Sequence, residues 1–225
     1  MSNFILAGLF TEGTTDVRFL KAVVKNTLDN VAFDCTGDIE TELVVVDIEK
    51  KNLDFNNQLL KASLKAGELG AVILFVHADS DDVNDLNTFK NKINPALSFI
   101  DNQDIQGEFC KDIVAIVPVF MTESWMLADK ELLKEEIGVE ENDADLGIDK
   151  KPEEINDPKK AIEDVIRKSK ENLTKRRRSK GLLISDLYQI IGQKIELEKL
   201  QELTSYNKFK DSLRDSLRNL NYLHD

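Results

Sequence analysis

Two short acidic signatures in this chain each follow an apolar run. The segment Thr-Glu-Gly-Thr-Thr-Asp at residues 11–16 follows the run at 4–10, and Asp-Ser-Asp-Asp at 79–82 follows the run at 71–76. Carboxylates that are held close together repel one another unless a cation lies between them, and at sites that bind phosphates this cation is usually magnesium. The two signatures therefore predict a metal site.

Four of the acids lie where predicted strands end. Glu12 follows the first predicted strand and Glu123 follows the fourth, while Asp79 and Asp81 both follow the third. In an open parallel sheet, ligands bind at the carboxyl ends of the strands, so we expect these carboxylates to share one rim. Asp79 and Asp81 are two residues apart, and side chains alternate along an extended segment. Both are therefore expected to reach the same ion.

Apolar runs alternate with helical spacing in the first half of the chain. Buried strands are predicted at residues 4–10, 43–48, 71–77 and 113–120. Helices are predicted where apolar residues recur every three or four positions, at 15–28, 53–69 and 84–100. This alternation is typical of right-handed crossovers and a parallel sheet. We therefore expect an α/β fold with roughly four parallel strands flanked by helices.

No strand is predicted after Thr122. Helical spacing recurs at residues 123–133, 158–170, 182–191, 197–203 and 206–220. Residues 138–157 are acidic and end in Asp157, a predicted N-cap for a helix that begins with Pro158. We therefore expect three segments, which are a core at 1–130, an acidic loop or flap at 131–157, and a helical extension at 158–225 that packs on the core.

Composition excludes several classes of protein. The chain has 225 residues, of which 41% are hydrophobic, so it can bury a core and is not predicted to be disordered. Its apolar runs are far shorter than a membrane span, and its N-terminus lacks the cationic lead-in and cleavage site of a signal peptide. The two cysteines, Cys35 and Cys110, are too few for a disulfide framework. These features predict a cytoplasmic protein with no membrane partner.

The charge of the chain is unevenly distributed. The net charge of −12 argues against simple coating of nucleic acid, but residues 158–225 hold 16 basic and 10 acidic side chains. This part includes one dense basic run, whose members are Lys175, Arg176, Arg177, Arg178 and Lys180. Arginine side chains match phosphate oxygens, so the run is the predicted contact with a nucleic-acid backbone. A solvated helical face is the alternative interpretation.

The acidic signatures together resemble those of a known superfamily. Residues 12–16, and Asp-Ser-Asp at 79–81 after an apolar strand, are similar to the Toprim signature of bacterial primases, topoisomerases and OLD-family nucleases. The resemblance implies a Toprim-like Rossmannoid fold. It also implies that Glu12 acts as general acid or base and that Asp79 and Asp81 hold Mg²⁺ or Mn²⁺.

A narrower resemblance extends over most of the chain. Residues 117–129, 151–155 and 157–159 are similar to small stand-alone Toprim-like bacterial proteins of the type called domain of unknown function 4276, which are suspected nucleases in phage defence. The departures are the histidine in His77-Ala78, just ahead of the aspartates, and the additional charge of Asp82. Neither departure removes a ligand that the resemblance requires.

Further residues are assigned to the surroundings of this predicted site. Glu123 is predicted to be another metal ligand or an acid that orients one. The residues expected to support the ligands without necessarily binding the ion are Gly13, Asp16, His77 and Asp82. Each acid also has a purely structural explanation, either as a charge that stabilises a helix N-terminus or as a solvated loop residue. Trp125 and Met126 are predicted to lie in the core.

Together these features predict a metal-dependent nuclease that hydrolyses phosphodiester bonds of nucleic acid, in bacterial defence or DNA repair. A partner ATPase and a homo-oligomer are both compatible with the sequence. Two rival interpretations stay open. One is a non-catalytic Toprim-like regulatory or partner-binding module. The other is a different phosphoryl-transfer enzyme, although the Walker and Rossmann glycine motifs are absent.

Overall fold

A four-stranded parallel sheet forms the centre of the protein. The computed structural model describes residues 4–103, 109–170 and 181–224. The strands are β1 (Phe4–Phe10), β2 (Glu40–Val45), β3 (Ile73–His77) and β4 (Asp112–Ile116). Their order across the sheet is β2-β1-β3-β4, and every neighbouring pair is parallel. The predicted parallel α/β sheet is therefore confirmed.

The two central strands are the most completely buried. All five residues of β3 are buried, as are five of the seven residues of β1. In the register, Ala7 pairs with Ile73, and Ile73 in turn pairs with Asp112 on β4. Strands covered on both faces have no polar alternation, which explains why β1 and β3 read as continuous apolar runs.

Helices connect the strands on both faces of the sheet. The first two crossovers are α1 (Asp16–Ala32) and α2 (Phe55–Glu68). The third, predicted as one helix, consists of α3 (Leu86–Thr88), a π-helical turn (Phe89–Ile93) and α4 (Asn94–Asp101). Pro95 lies in the first turn of α4 and has no backbone N–H, so a regular α-helix cannot run through this region with all of its hydrogen bonds.

The remaining helices follow β4. They are α5 (Glu123–Met126), α6 (Lys130–Ile137), α7 (Asp143–Leu146), a 3₁₀ turn (Pro152–Glu154), α8 (Pro158–Ser169), α9 (Ile184–Lys194), α10 (Leu197–Leu200) and α11 (Thr204–Asn219). The predicted acidic loop thus contains helical turns. Asp157 caps α8 as predicted, because its carboxylate accepts a hydrogen bond from the backbone N–H of Lys160 at 2.9 Å. Within the described ranges, no helix is long and apolar enough to cross a membrane.

Two apolar cores lie on opposite faces of the sheet. Helices α2 and α4 pack on one face, where Leu59 and Ala96 contact the same cluster as Leu74 of β3. Helix α1 and the helices after β4 cover the other face. Trp125 and Met126 are fully buried there, which confirms their predicted place in the core.

Two strands end earlier than the sequence predicts. β2 ends at Val45 rather than at residue 48, and β4 ends at Ile116 rather than at residue 120. In the second case the reason is local, because Pro118 cannot donate to a ladder and Phe120 has a left-handed backbone with φ of 60°. The early end turns the chain so that the next residues, Thr122 and Glu123, face the rim of the sheet.

Candidate metal centre

Three candidate ligands meet where the connections of the sheet change direction. From β1 the chain moves to β2 on one side, and it later returns to β3 on the other side. The carboxyl ends of β1 and β3 therefore form the switch point at which open α/β sheets bind ligands. Asp16 begins α1 after β1, His77 ends β3, and Asp79 follows two residues later. One potential ligand atom from each of these side chains lies within 4.8 Å of the other two.

His77 is the centre of this group and is fully buried. Its Nε2 lies 3.2 Å from Oδ1 of Asp79 and 3.0 Å from the hydroxyl of Thr122. Its Nδ1 lies 3.9 Å from Oδ2 of Asp16 and has no hydrogen-bond partner within the described part of the chain. A buried polar atom without a partner is costly to folding, so this nitrogen points to a ligand.

The neighbours of His77 determine which nitrogen is free. Nε2 faces Oδ1 of Asp79, and a carboxylate oxygen accepts hydrogen bonds, so the proton of the neutral ring lies on Nε2. The backbone N–H of Thr122 also donates to Oδ1 of Asp79 at 3.0 Å. With the proton on Nε2, the lone pair of Nδ1 is available to a cation beside Asp16.

Asp16 is held in place by the turn that precedes α1. Its carboxylate accepts from the backbone of Gly13, and only 13% of its side chain is exposed. Burial raises the pKa of Asp16 and the nearby charge of Asp79 adds to the rise, whereas His77 opposes it. A Cβ atom on Gly13 would lie 2.4 Å from Oδ2 of Asp16, so a larger residue here would displace this carboxylate.

Glu123 lies beside this group and has a partner of its own. It is buried at the start of α5, and Tyr188 of α9 donates a short hydrogen bond to its Oε1. Burial raises the pKa of Glu123, and the charge of Asp79 raises it further. Burial and the bond to Glu123 also raise the pKa of the Tyr188 hydroxyl, so Tyr188 is a hydrogen-bond donor here.

Two predicted site residues, Glu12 and Asp81, lie outside the group of three. The carboxylate of Glu12 is 47% exposed and forms an ion pair with Lys92, whose Nζ lies 2.7 Å from Oε2. Asp81 is exposed and has a left-handed backbone, with φ of 53°. The segment is therefore not extended at Asp81, and the expectation that Asp79 and Asp81 point the same way because side chains alternate is wrong. The assignments of Glu12 as general acid or base and of Asp81 as a metal ligand stay predictions.

The other predicted residues have local roles in the structure. Asp82 accepts from the backbone N–H of Val83 at 2.7 Å and from the side-chain amide of Asn87 at 2.6 Å, so it orders the turn before α3. The predicted basic contact with nucleic acid, at residues 175–178 and 180, lies outside the described residues.

Comparison with known proteins identifies a family. A family model described as "Domain of unknown function (DUF4276)" matches residues 11–214. The chain belongs to this family. No curated protein and no solved structure matches the chain. The predicted resemblance to DUF4276 is therefore confirmed, and the wider kinship with Toprim and OLD-family proteins stays a prediction.

Two features within the residues matched by DUF4276 are not predicted from the sequence. The first is the contact of Tyr188 with Glu123, because the sequence shows Tyr188 only as one residue of a helical pattern. The second feature is a groove of about 440 Å³ beside α1, β2 and α9, whose polar lining consists of basic and amide side chains and one acid, Glu42. Its basic residues are Arg18, Lys21 and Lys25 on α1, and its amides include Gln189 and Gln193 on α9. Their spacings of three and four residues are the signal that predicts one helical face.

The donor set in this DUF4276 protein fits a divalent cation. Asp16 and Asp79 supply carboxylate oxygens, and the unpartnered Nδ1 of His77 supplies a buried imidazole nitrogen. Mg²⁺ prefers oxygen ligands alone, whereas imidazole with carboxylates suits Mn²⁺ and later transition metals better. The composition of the group therefore favours Mn²⁺ over Mg²⁺ among the two predicted ions.

Proposed function

We propose that this DUF4276 protein is a metal-dependent nuclease that hydrolyses phosphodiester bonds of nucleic acid. The observation that carries the proposal is the convergence of Asp16, His77 and Asp79, with a buried imidazole nitrogen that lacks a partner. The group lies at the switch point of a parallel sheet, which is where such folds bind substrates. Two ionised carboxylates this close repel one another, and a cation between them relieves the repulsion.

The proposed roles follow from the position of each residue. Asp16, His77 and Asp79 hold the divalent cation, which supplies positive charge that stabilises a phosphodiester during hydrolysis. Thr122 orients this set, because it forms hydrogen bonds with both His77 and Asp79. Glu123, whose pKa is raised by burial, is the acid beside Asp79 and the proposed proton-transfer group.

Nucleic acid is the proposed substrate because the helix that begins with Asp16 also carries a row of basic side chains along a groove. Arg18 follows Asp16 by two residues, and Lys21 and Lys25 continue along α1. In a protein with a net charge of −12, a local row of three basic side chains favours a polyanion at this place. Lys25 is partly neutralised by Asp29 at 2.6 Å, so Arg18 and Lys21 carry most of the available charge.

Several wider features are part of the same proposal. The Toprim relationship, shared with OLD-family nucleases, would place these acids at the ends of equivalent strands. Bacterial defence or DNA repair is the proposed context, and a partner ATPase, a homo-oligomer and a cytoplasmic location are compatible with it. The order of the acidic signatures along the chain supports the Toprim relationship. The strongly negative overall charge supports a partner that supplies a basic surface.

Cleavage assays with single substitutions test the proposal. Metal-free protein is supplied with Mn²⁺ or Mg²⁺ and mixed with plasmid DNA or single-stranded RNA. We expect metal-dependent cleavage, and we expect Asp79→Asn and His77→Ala to lower Mn²⁺ affinity at least about tenfold and to abolish cleavage. Asp211→Asn, which removes an exposed charge on α11, is the matched control and keeps both activities. Absence of Mn²⁺ binding in the unmodified protein would falsify the proposal.

A charge reversal in the groove tests the substrate class. We expect Lys21→Glu to weaken binding of single-stranded DNA and to reduce the salt dependence of log K by about one charge, because one phosphate contact is lost. Lys61→Glu is the control, since Lys61 is an exposed lysine of α2 on the opposite face of the sheet. Equal effects of the two reversals would show that the groove is not the contact surface.

A non-catalytic binding module is the second candidate. The ion pair between Glu12 and Lys92 favours it, because the acid predicted to act in catalysis is already neutralised by a lysine. Under this candidate the protein binds Mn²⁺ through Asp79 but cleaves neither nucleic acid nor small phosphate esters. Cleavage of a small phosphate ester alone would indicate a different phosphoryl-transfer enzyme.

A further inference from the structure

The loop that carries Glu12 is held by two lysines. Lys92 binds the carboxylate of Glu12 with its Nζ 2.7 Å from Oε2, across 80 residues of sequence. Lys50 donates to the backbone carbonyls of Thr11 at 2.6 Å and Glu12 at 3.0 Å. Lys92 therefore fixes the carboxylate of Glu12, and Lys50 fixes the backbone of the loop.

The position of Lys92 is determined by its surroundings. It belongs to the π-helical turn Phe89–Ile93, and such turns change the direction of side chains relative to a regular helix. Its Nζ also lies 4.9 Å from the ring centroid of Phe55, a cation–π contact. Only 28% of the Lys92 side chain is exposed. The ion pair with Glu12 is thus supported from two sides.

An ammonium group and a divalent cation compete for the same carboxylate. Glu12 precedes the ligand Asp16 by four residues, and Asp16 is tied to Gly13 in the same turn. Glu12 is therefore attached to the metal centre through a short loop, while Lys92 holds its carboxylate. A phosphate, in turn, competes with the Glu12 carboxylate for Lys92.

We infer that Lys92 is a positioning residue that withholds Glu12 from the bound cation until a substrate phosphate takes over the lysine. The inference rests on the proposed metal site. One ion pair, Lys92 with Glu12, is replaced by two, Lys92 with phosphate and Glu12 with the cation. Each ligand then strengthens the binding of the other, because linkage between two binding events is reciprocal.

Calorimetric titration of Mn²⁺ into metal-free protein tests this inference without relying on cleavage. Lys92→Met removes the competing charge and keeps a long side chain, so we expect Mn²⁺ to bind about threefold to fivefold more tightly, the size typical of a partly exposed ion pair. Lys90→Met is the matched control, because Lys90 is an exposed lysine on the same turn, and it leaves the affinity unchanged. Lys92→Arg keeps the charge and retains the affinity of the unmodified protein.

A double substitution shows whether the effect passes through Glu12. In a Glu12→Gln background we expect Lys92→Met to leave Mn²⁺ affinity unchanged. The inference is overturned if Lys92→Met still raises Mn²⁺ affinity in this background, or if the single variant does not raise it. Either result leaves the proposed metal site intact. If the unmodified protein binds no Mn²⁺, the proposed function fails first and the inference falls with it. In cleavage assays Lys92→Met acts in the opposite direction, lowering kcat/KM at saturating Mn²⁺.

Discussion

The surroundings of His77 are unfavourable for the stability of the metal-free protein. His77 is fully buried, its Nδ1 has no partner within the described residues, and the carboxylates of Asp16 and Asp79 lie near Nδ1 and Nε2 respectively. An arrangement chosen for stability would pair or remove these groups. Strain of this kind is expected at a functional site, where a ligand provides the missing interaction.

Replacement of Asp16 should therefore stabilise the metal-free protein. The raised pKa of Asp16 means that its ionised form is disfavoured in the folded state, so its contribution to stability is lost as the pH rises through the folded pKa. At pH 7 we expect Asp16→Asn to increase the free energy of unfolding by about 1 kcal/mol and the melting temperature by about 2–4 °C.

Two further measurements on Asp16→Asn test this explanation. Its advantage over the unmodified protein should shrink as the pH is lowered toward 3.8, the ordinary pKa of aspartic acid, because Asp16 is then protonated. Saturating Mn²⁺ should reverse the order, since only the unmodified protein gains binding energy. Asp211→Asn serves as the control for loss of a surface charge. A destabilised Asp16→Asn protein at pH 7 without metal would contradict the account.

At the level of elements, the close approach of α1 and α9 positions the acid Glu123. Gly192 of α9 lies against the backbone of Phe19 on α1, and a Cβ at this position would come within 2.5 Å of the Phe19 carbonyl oxygen. Tyr188 lies one turn earlier on α9 and donates to Glu123. The packing of two helices thus determines whether Tyr188 reaches the rim of the sheet.

Insertion of a methyl group between these helices should affect both stability and the site. We expect Gly192→Ala to lower the free energy of unfolding by about 1–3 kcal/mol, because the obstacle is backbone rather than a flexible side chain. Gln193→Ala, on the exposed side of the same helix, is the control and changes stability little. Denaturant titration measures both variants. An unchanged midpoint for Gly192→Ala would show that α9 can move away at no cost.

Considered as a whole molecule, the helices after β4 share one core with the sheet. Phe75 of β3 packs edge-on against Phe209 of α11 at 5.7 Å between ring centroids, and Trp125 contacts both Tyr206 and Phe209. Trp125 also donates through its indole nitrogen to Ser205 at 2.8 Å. The C-terminal helices therefore complete the apolar core of α1 and the sheet.

A shared core predicts that sheet and C-terminal helices unfold together. Trp125 is the sole tryptophan and is fully buried, so its fluorescence reports on this core, while far-UV circular dichroism reports on all helices. We expect the two signals to give the same denaturant midpoint. Phe209→Ala should lower the free energy of unfolding by about 3–5 kcal/mol and shift both signals together. Two separate transitions would indicate an extension that folds independently of the sheet.

The sequence by itself determined that there are about four strands, that helical crossovers make the sheet parallel, and that acids follow the carboxyl ends of the strands. These properties are local, because an apolar run or a helical spacing is written in neighbouring residues. Asp157 as the cap of α8 and Trp125 as a core residue were predictable for the same reason. Strand ends were less predictable, since the left-handed turn at Phe120 leaves no mark in hydrophobic patterning.

Only the tertiary structure decided which acids meet. The backbone at Asp81 is left-handed rather than extended, and Lys92 holds Glu12 from a distant helical turn, so neither carboxylate joins Asp79 in the compact group. Asp16 and His77 do join it, because the ends of β1 and β3 are adjacent in the sheet. Contacts between residues that are tens of positions apart depend on strand order, helix packing and backbone angles together, and none of these is a property of a short segment.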